Sequence, residues 1–202
     1  FWLYGGSFLT QVPNFAVTVL NGHPTLVSIL LAAFIIGVAI GSLLCNRLSN
    51  GKVEPGLIPF GALGLTVFAI DLFFSSNAFQ LANQGAIAVM PNEFFGLSGG
   101  IRVGFDLMFI GLCGGLFIVP LYSMIQQRSA TSIRARVLSV NNICNAFYMV
   151  IGSLIGILFL SILGWSIPEF FFAIALLNLI FTSFIFYLVP EFMQRTKIWL
   201  FS

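Results

Sequence analysis

Ser7, Gln11, Asn14 and Thr18 are spaced 4, 3 and 4 in apolar surroundings, so on a helix they share one face. Asn141, Asn145, Tyr148 and Gly152 repeat the pattern, with Asn142 beside them. The chemistry these groups offer is uncharged hydrogen bonding, not proton transfer or nucleophilic attack. Such amides also join helix to helix, at ~0.6–2 kcal/mol each. Groups that could grip an anion cluster in one short connection, QQRSATSIRAR, which holds Arg128, Arg134 and Arg136. Guanidinium forks suit phosphate, and a basic connection also anchors topology.

Covalent and metal chemistry find little support. Gly96-Leu97-Ser98-Gly99 has the lettering of an intramembrane serine protease, but the base such a serine needs is missing, because the only histidine, His23, stands in a turn. An acyltransferase His-x-x-x-x-Asp pair is absent too, since Ser28 follows His23 at that spacing. Cys45, Cys113 and Cys144 lack metal spacing and read as small packing residues. No metal, cofactor or catalytic residue is expected, and the protein does not read as an enzyme. Asp71 and Asp106 fall near span ends, and Arg102 with Asp106, four apart, reads as an ion pair.

The elements that position these residues follow from composition. The 202 residues are 59% hydrophobic and 7% charged, against about a quarter charged in soluble domains. A bilayer core needs about 20 apolar residues per helix. Six windows qualify, at about 2–20, 26–44, 57–74, 103–125, 137–163 and 170–189, with a loop over 77–101. With six spans, Arg47, Lys52, Arg128, Arg134, Arg136, Arg195 and Lys197 share a side and Arg102 lies opposite. The bias puts both ends in the cytoplasm. A net charge of +2 gives no reason to expect nucleic acid. At ~1.5 Å per residue, Asn145 lies roughly 13 Å and Tyr148 roughly 18 Å in from Arg136. Both are then near the middle of a core about 30 Å thick.

The spans also read as three plus three in inverted orientation. The second and fifth carry Gly37/Gly41 and Gly152/Gly156, the fourth carries Gly111/Gly115, and the first and fourth each hold a proline, Pro13 and Pro120. Small residues four apart let helix backbones approach closely in lipid. Such repeats build many secondary transporters. The expected fold is all-α and membrane-embedded.

FLTQVPNFAV, LLAAFIIGVAIGSLLCNRLS with KVEPGLIPFG, and DLMFIGLCGGLFIVPLYSMIQQRS with RARVLSVNNICNAFYMV resemble the lysophospholipid transporter family of the major facilitator superfamily. One departure is Cys45, where the glycine-then-basic loop motif has aspartate, with Arg47 one residue late. The resemblance implies that residues 1–202 are the C-terminal six-helix half of a twelve-helix transporter in a bacterial inner membrane. Starting at Phe1 and ending at Ser202, both in mid-sequence, the chain reads as a piece of something longer. Its partners would be the N-terminal half, membrane lysophospholipid and a fused or neighbouring acyltransferase. Gln11, Asn14, Asn141, Asn142, Asn145 and Tyr148 would contact the head group, and Arg128, Arg134 and Arg136 would receive its phosphate. The lipid would move toward the cytoplasmic leaflet for re-acylation. A carrier of another small solute, or a non-transporting scaffold for a fused acyltransferase, would share the same spans.

Overall fold

The structure is a computed structural model, and it describes residues 1–85 and 88–201. The chain is all-helical, with no strand among the described residues. Helix α1 spans Trp2–Asn14 and continues as a π-helical stretch, Phe15–Val19. Pro24 opens α2, Pro24–Leu48, where its missing N–H costs nothing. The His23 ring caps that helix, accepting from the Thr25 N–H at 3.4 Å. A short 3-10 turn, Pro55–Leu57, leads into α3, Ile58–Ala82. A four-residue helix α4, Pro91–Phe94, precedes α5, Gly100–Arg128. Then come α6, Arg134–Gly156, with a π-helical extension Ile157–Ile162, and α7, Ile167–Leu188. Helix α8, Glu191–Leu200, ends the described chain.

Five helices among the described residues are long and apolar enough to cross a membrane: Pro24–Leu48, Pro55–Ala82, Gly100–Arg128, Arg134–Ile162 and Ile167–Leu188. The architecture is that of a multi-pass membrane protein. Trp2–Val19 packs along α6 but is not among the five, and Gln11 and Asn14 dilute its apolarity most. The third helix runs eight residues past its expected end, so the connection is shorter than 77–101. Positions 86 and 87 of that expected loop lie outside the described residues.

Packing is densest where side chains are smallest. Parallel helices α2 and α5 meet backbone to backbone, Gly37 and Gly41 facing Met108 and Leu112, and Gly111 and Gly115 facing Phe34 and Val38. Gly152 gives α6 the same approach to Leu3 and Ser7 of α1. Gly156 makes only ordinary contact, 3.7 Å from a Cβ to the Phe170 ring. Helix α7 seals the bundle with Phe171, whose ring lies 4.2 Å from that of Phe8 at 8°. It also sends the Asn178 amide to Thr66 Oγ1 and the Ala62 carbonyl of α3, at 2.9 and 3.0 Å.

The basic residues gather at one end of the bundle, where α2 and α5 stop and α6 starts. Helix α8 straps that end. Thr196 Oγ1 donates to the Gly56 carbonyl at 2.9 Å, Trp199 Nε1 donates to the Leu48 carbonyl at 3.0 Å, and Glu191 pairs with Arg128. The Arg128 guanidinium holds the Glu191 carboxyl below its usual range. Glu191 therefore steadies α8 fully above the ordinary glutamate range and loses that effect as pH falls through its lowered value. Thr196→Val is expected to loosen the strap by about 1 kcal/mol, read as faster proteolysis after Val189.

Opposite-end charges pair differently from the sequence expectation. Arg102 reaches across to Asp71 of α3, Nε to Oδ2 at 3.1 Å, not along its own helix to Asp106. Asp106 is instead buried, 1% exposed, and accepts the Ser75 hydroxyl at 2.6 Å. The i, i+4 spacing allowed the first pairing, but helix α3 offered both residues a nearer partner. Cys45 and Cys113 pack inside, whereas Cys144 is exposed and fills no core position in this chain.

Candidate functional site

Two polar regions emerge, and the α1 and α6 stripes are divided between them. The first lies toward the basic end. Tyr122, on α5, accepts two hydrogen bonds at Oη, from Asn145 Nδ2 at 2.7 Å and from Trp2 Nε1 at 3.3 Å. Both acceptor positions are filled, so the phenolic proton is left to donate. Toward the basic end of α6 the Asn141 Nδ2 is buried without a partner, and so is Arg134 Nε. Arg134 uses only Nη2 locally, toward the Ser129 carbonyl at 3.4 Å. A buried donor left unpaired costs about 1–3 kcal/mol. Donors therefore accumulate here without acceptors.

The second region is a cleft of ≈ 350 Å³ between α1, α6 and α7 at the far half of the bundle. Gln11 and Asn14 line it with Thr10, Ser153 and Ser161, over a floor that includes Gly152 and Gly156. Ser7 does not open into it. Its hydroxyl is buried against Gly152 and donates to the Leu3 carbonyl at 2.7 Å.

The remaining expected site residues stand apart. Asn142 is exposed, and Tyr148 is 51% exposed with its ring set edge-on against Phe147. Arg136 is exposed at the start of α6, and Arg128 is taken by Glu191. Of the six candidate head-group contacts, the structure thus brings Asn141 and Asn145 to one face near Tyr122, and Gln11 and Asn14 to the cleft.

Sequence spacing missed Tyr122 and Trp2, because both stand alone in apolar runs and join no periodic stripe. It also missed Ser153 and Ser161, which join no stripe; Ser153 lines the cleft from α6 and Ser161 from the π-helical stretch that follows Gly156. Tyr122→Phe should leave Asn145 and Trp2 without their shared acceptor. The expected cost is about 1–3 kcal/mol, visible as a lower melting temperature in detergent.

Compared with protein-family models, with curated proteins and with solved structures, the chain finds no match.

Proposed function

We propose that this chain is one six-helix half of a secondary transporter of the major facilitator kind, carrying lysophospholipid toward the cytoplasmic leaflet of a bacterial inner membrane. The observation that carries the reading is a run of unpaired donors from Tyr122 to the basic start of α6. A tyrosine proton, the Asn141 Nδ2 and the Arg134 Nε all lack acceptors, and a phosphate is an acceptor on every oxygen. Of the three arginines given the phosphate role, Arg128 serves in this reading to hold α8, while Arg134 and the exposed Arg136 keep that role.

Helix pairing supports an inverted three-plus-three arrangement. If the first three spans exchange with the last three, α2 against α5 becomes α6 against α1. Both pairs pack, each through a glycine in helical contact with its neighbour's backbone. Helix α6 supports a missing half. Apart from glycines none of its residues is buried, and Ile143, Phe147, Val150 and Leu154 stand open on its surface. A second bundle seated there would close the cavity between the halves. The seven basic residues at one end support a cytoplasmic position for both ends of the chain.

In the full-length protein, Asn141→Ala should cut uptake of radiolabelled lysophospholipid by roughly 10- to 150-fold, from the loss of ~1.5–3 kcal/mol of charge-assisted hydrogen bonding. Membrane abundance should stay unchanged. Unaltered uptake would remove the donor cluster from the path. Competition by an unrelated small solute, with none by lysophospholipid, would point to a different cargo.

A further inference from the structure

The far cleft differs in kind from the donor cluster. Among the described residues no charged side chain lines it. The side-chain amides of Gln11 and Asn14 have no hydrogen-bond partner within the described chain and offer donors and acceptors together. Thr10 Oγ1 donates to the Gly6 carbonyl at 2.9 Å and Ser153 Oγ to the Met149 carbonyl at 3.1 Å, so both hydroxyls turn lone pairs outward. Ser161 is exposed and adds a hydroxyl. A phosphate here would meet no cation, and a quaternary ammonium would meet no anion and one aromatic, Phe170. Hydroxyl groups fit, because each oxygen gives one proton and accepts two.

Local helix geometry makes the room. Asn14 precedes the π-helical stretch Phe15–Val19, and Ile157, Leu160 and Ser161 lie on the stretch Ile157–Ile162. A π turn widens the helix, and such turns gather at functional sites. The volume, ≈ 350 Å³, falls at the lower end of ligand pockets, about 300–1,000 Å³. Glycerol or a single sugar ring fits with a few waters. Gly156 lies fifteen residues beyond Asn141, roughly 23 Å along α6, about twice the roughly 11 Å from Asn141 back to Arg134, so a phosphate held by those two does not reach this cleft.

We infer that the cleft formed by Thr10, Gln11, Asn14, Ser153 and Ser161 is a subsite for an uncharged polyhydroxyl group, separate from the donor cluster around Tyr122. Resting on the transport reading, it becomes an entry station that selects glycerol- or sugar-headed lipids before the phosphate reaches Arg134 and Asn141.

The test uses full-length protein in vesicles, with Cys45, Cys113 and Cys144 replaced and Ser161→Cys introduced as a reporter. Alkylation by a membrane-impermeant maleimide is timed with glycerol, with 1-acyl-glycerophosphoglycerol and with 1-acyl-glycerophosphocholine. At about ten times its Kd the glycerol-headed lipid should slow labelling about tenfold, and the choline-headed lipid should leave it within about twofold. Protection by glycerol alone identifies a free polyol as sufficient; protection by the lipid alone identifies the head group. Asn14→Leu and Gln11→Leu should each abolish protection, read as the ratio of labelling rates with and without lipid in the same variant. Equal protection by both lipids, or none by any probe, overturns the subsite. Selective protection in a protein that moves no lipid would instead defeat the transport reading and leave the cleft standing.

Discussion

Leucine in place of Gly37 is expected to prevent assembly of the bundle. A Cβ at that position would stand 1.9 Å from the Met108 carbonyl oxygen, and one at Gly111 would stand 2.1 Å from that of Phe34. These obstacles are backbone, so no rotamer change relieves them. Lipid supplies no hydrophobic drive to hold helices together, and close packing is what replaces it. Separating α2 from α5 by even an ångström forfeits much of that contact along two turns. Overpacking of ordinary cores costs about 1–3 kcal/mol. Here the cost should exceed about 3 kcal/mol, and Gly37→Leu protein should disappear from the monodisperse peak of a detergent extract. Gly5→Ala is the matched control, because nothing lies within 4 Å of the Cβ it would add. It should behave as wild type. Normal elution of Gly37→Leu would mean that α2 and α5 are not in backbone contact.

Glycine spacing exposes this interface in the sequence because the constraint is local: two residues four apart on one helix face are visible in one line of letters. Five of the six apolar windows emerge as helices of spanning length for a similar reason, since hydropathy sums over neighbours. What spacing does not carry is which face meets which helix. Gln11 and Asn145 both sit on stripes, yet one faces a cleft and the other a tyrosine twenty-three residues back in the chain. Pairing Arg102 with Asp106 fails in the same way. An i, i+4 contact is worth only about 0.2–0.5 kcal/mol, easily outweighed once α3 brings Asp71 and Ser75 alongside. Tyr122 lies within a stretch that carries the family resemblance, but an isolated phenol has no period to reveal its chemistry.

Asp106 gives the second large effect. It is buried and takes the Ser75 hydroxyl at 2.6 Å, while Ser75 also reaches its own helix at the Leu72 carbonyl, 3.3 Å away. The two partners therefore do not depend on each other equally. Without Asp106 the serine still has a backbone acceptor. Without Ser75 the carboxyl loses its hydroxyl donor in a site closed to water. Ser75→Ala should destabilise the protein by about 2–3 kcal/mol, the range for hydrogen bonds to charged or fully buried groups. Asp106→Asn should cost under about 1 kcal/mol, since the amide oxygen can still accept from Ser75. Combined with Asp106→Asn, Ser75→Ala should cost about half as much as in wild type, a coupling that a double-mutant cycle in thermal melts would resolve. The same cycle on Arg102 and Asp71, both partly exposed, should give no more than about 1 kcal/mol. If Ser75→Ala melts with wild type, the 2.6 Å contact does not fasten α3 to α5, and the close approach of Gly61 to Cys113 and Phe117 joins the two helices without it.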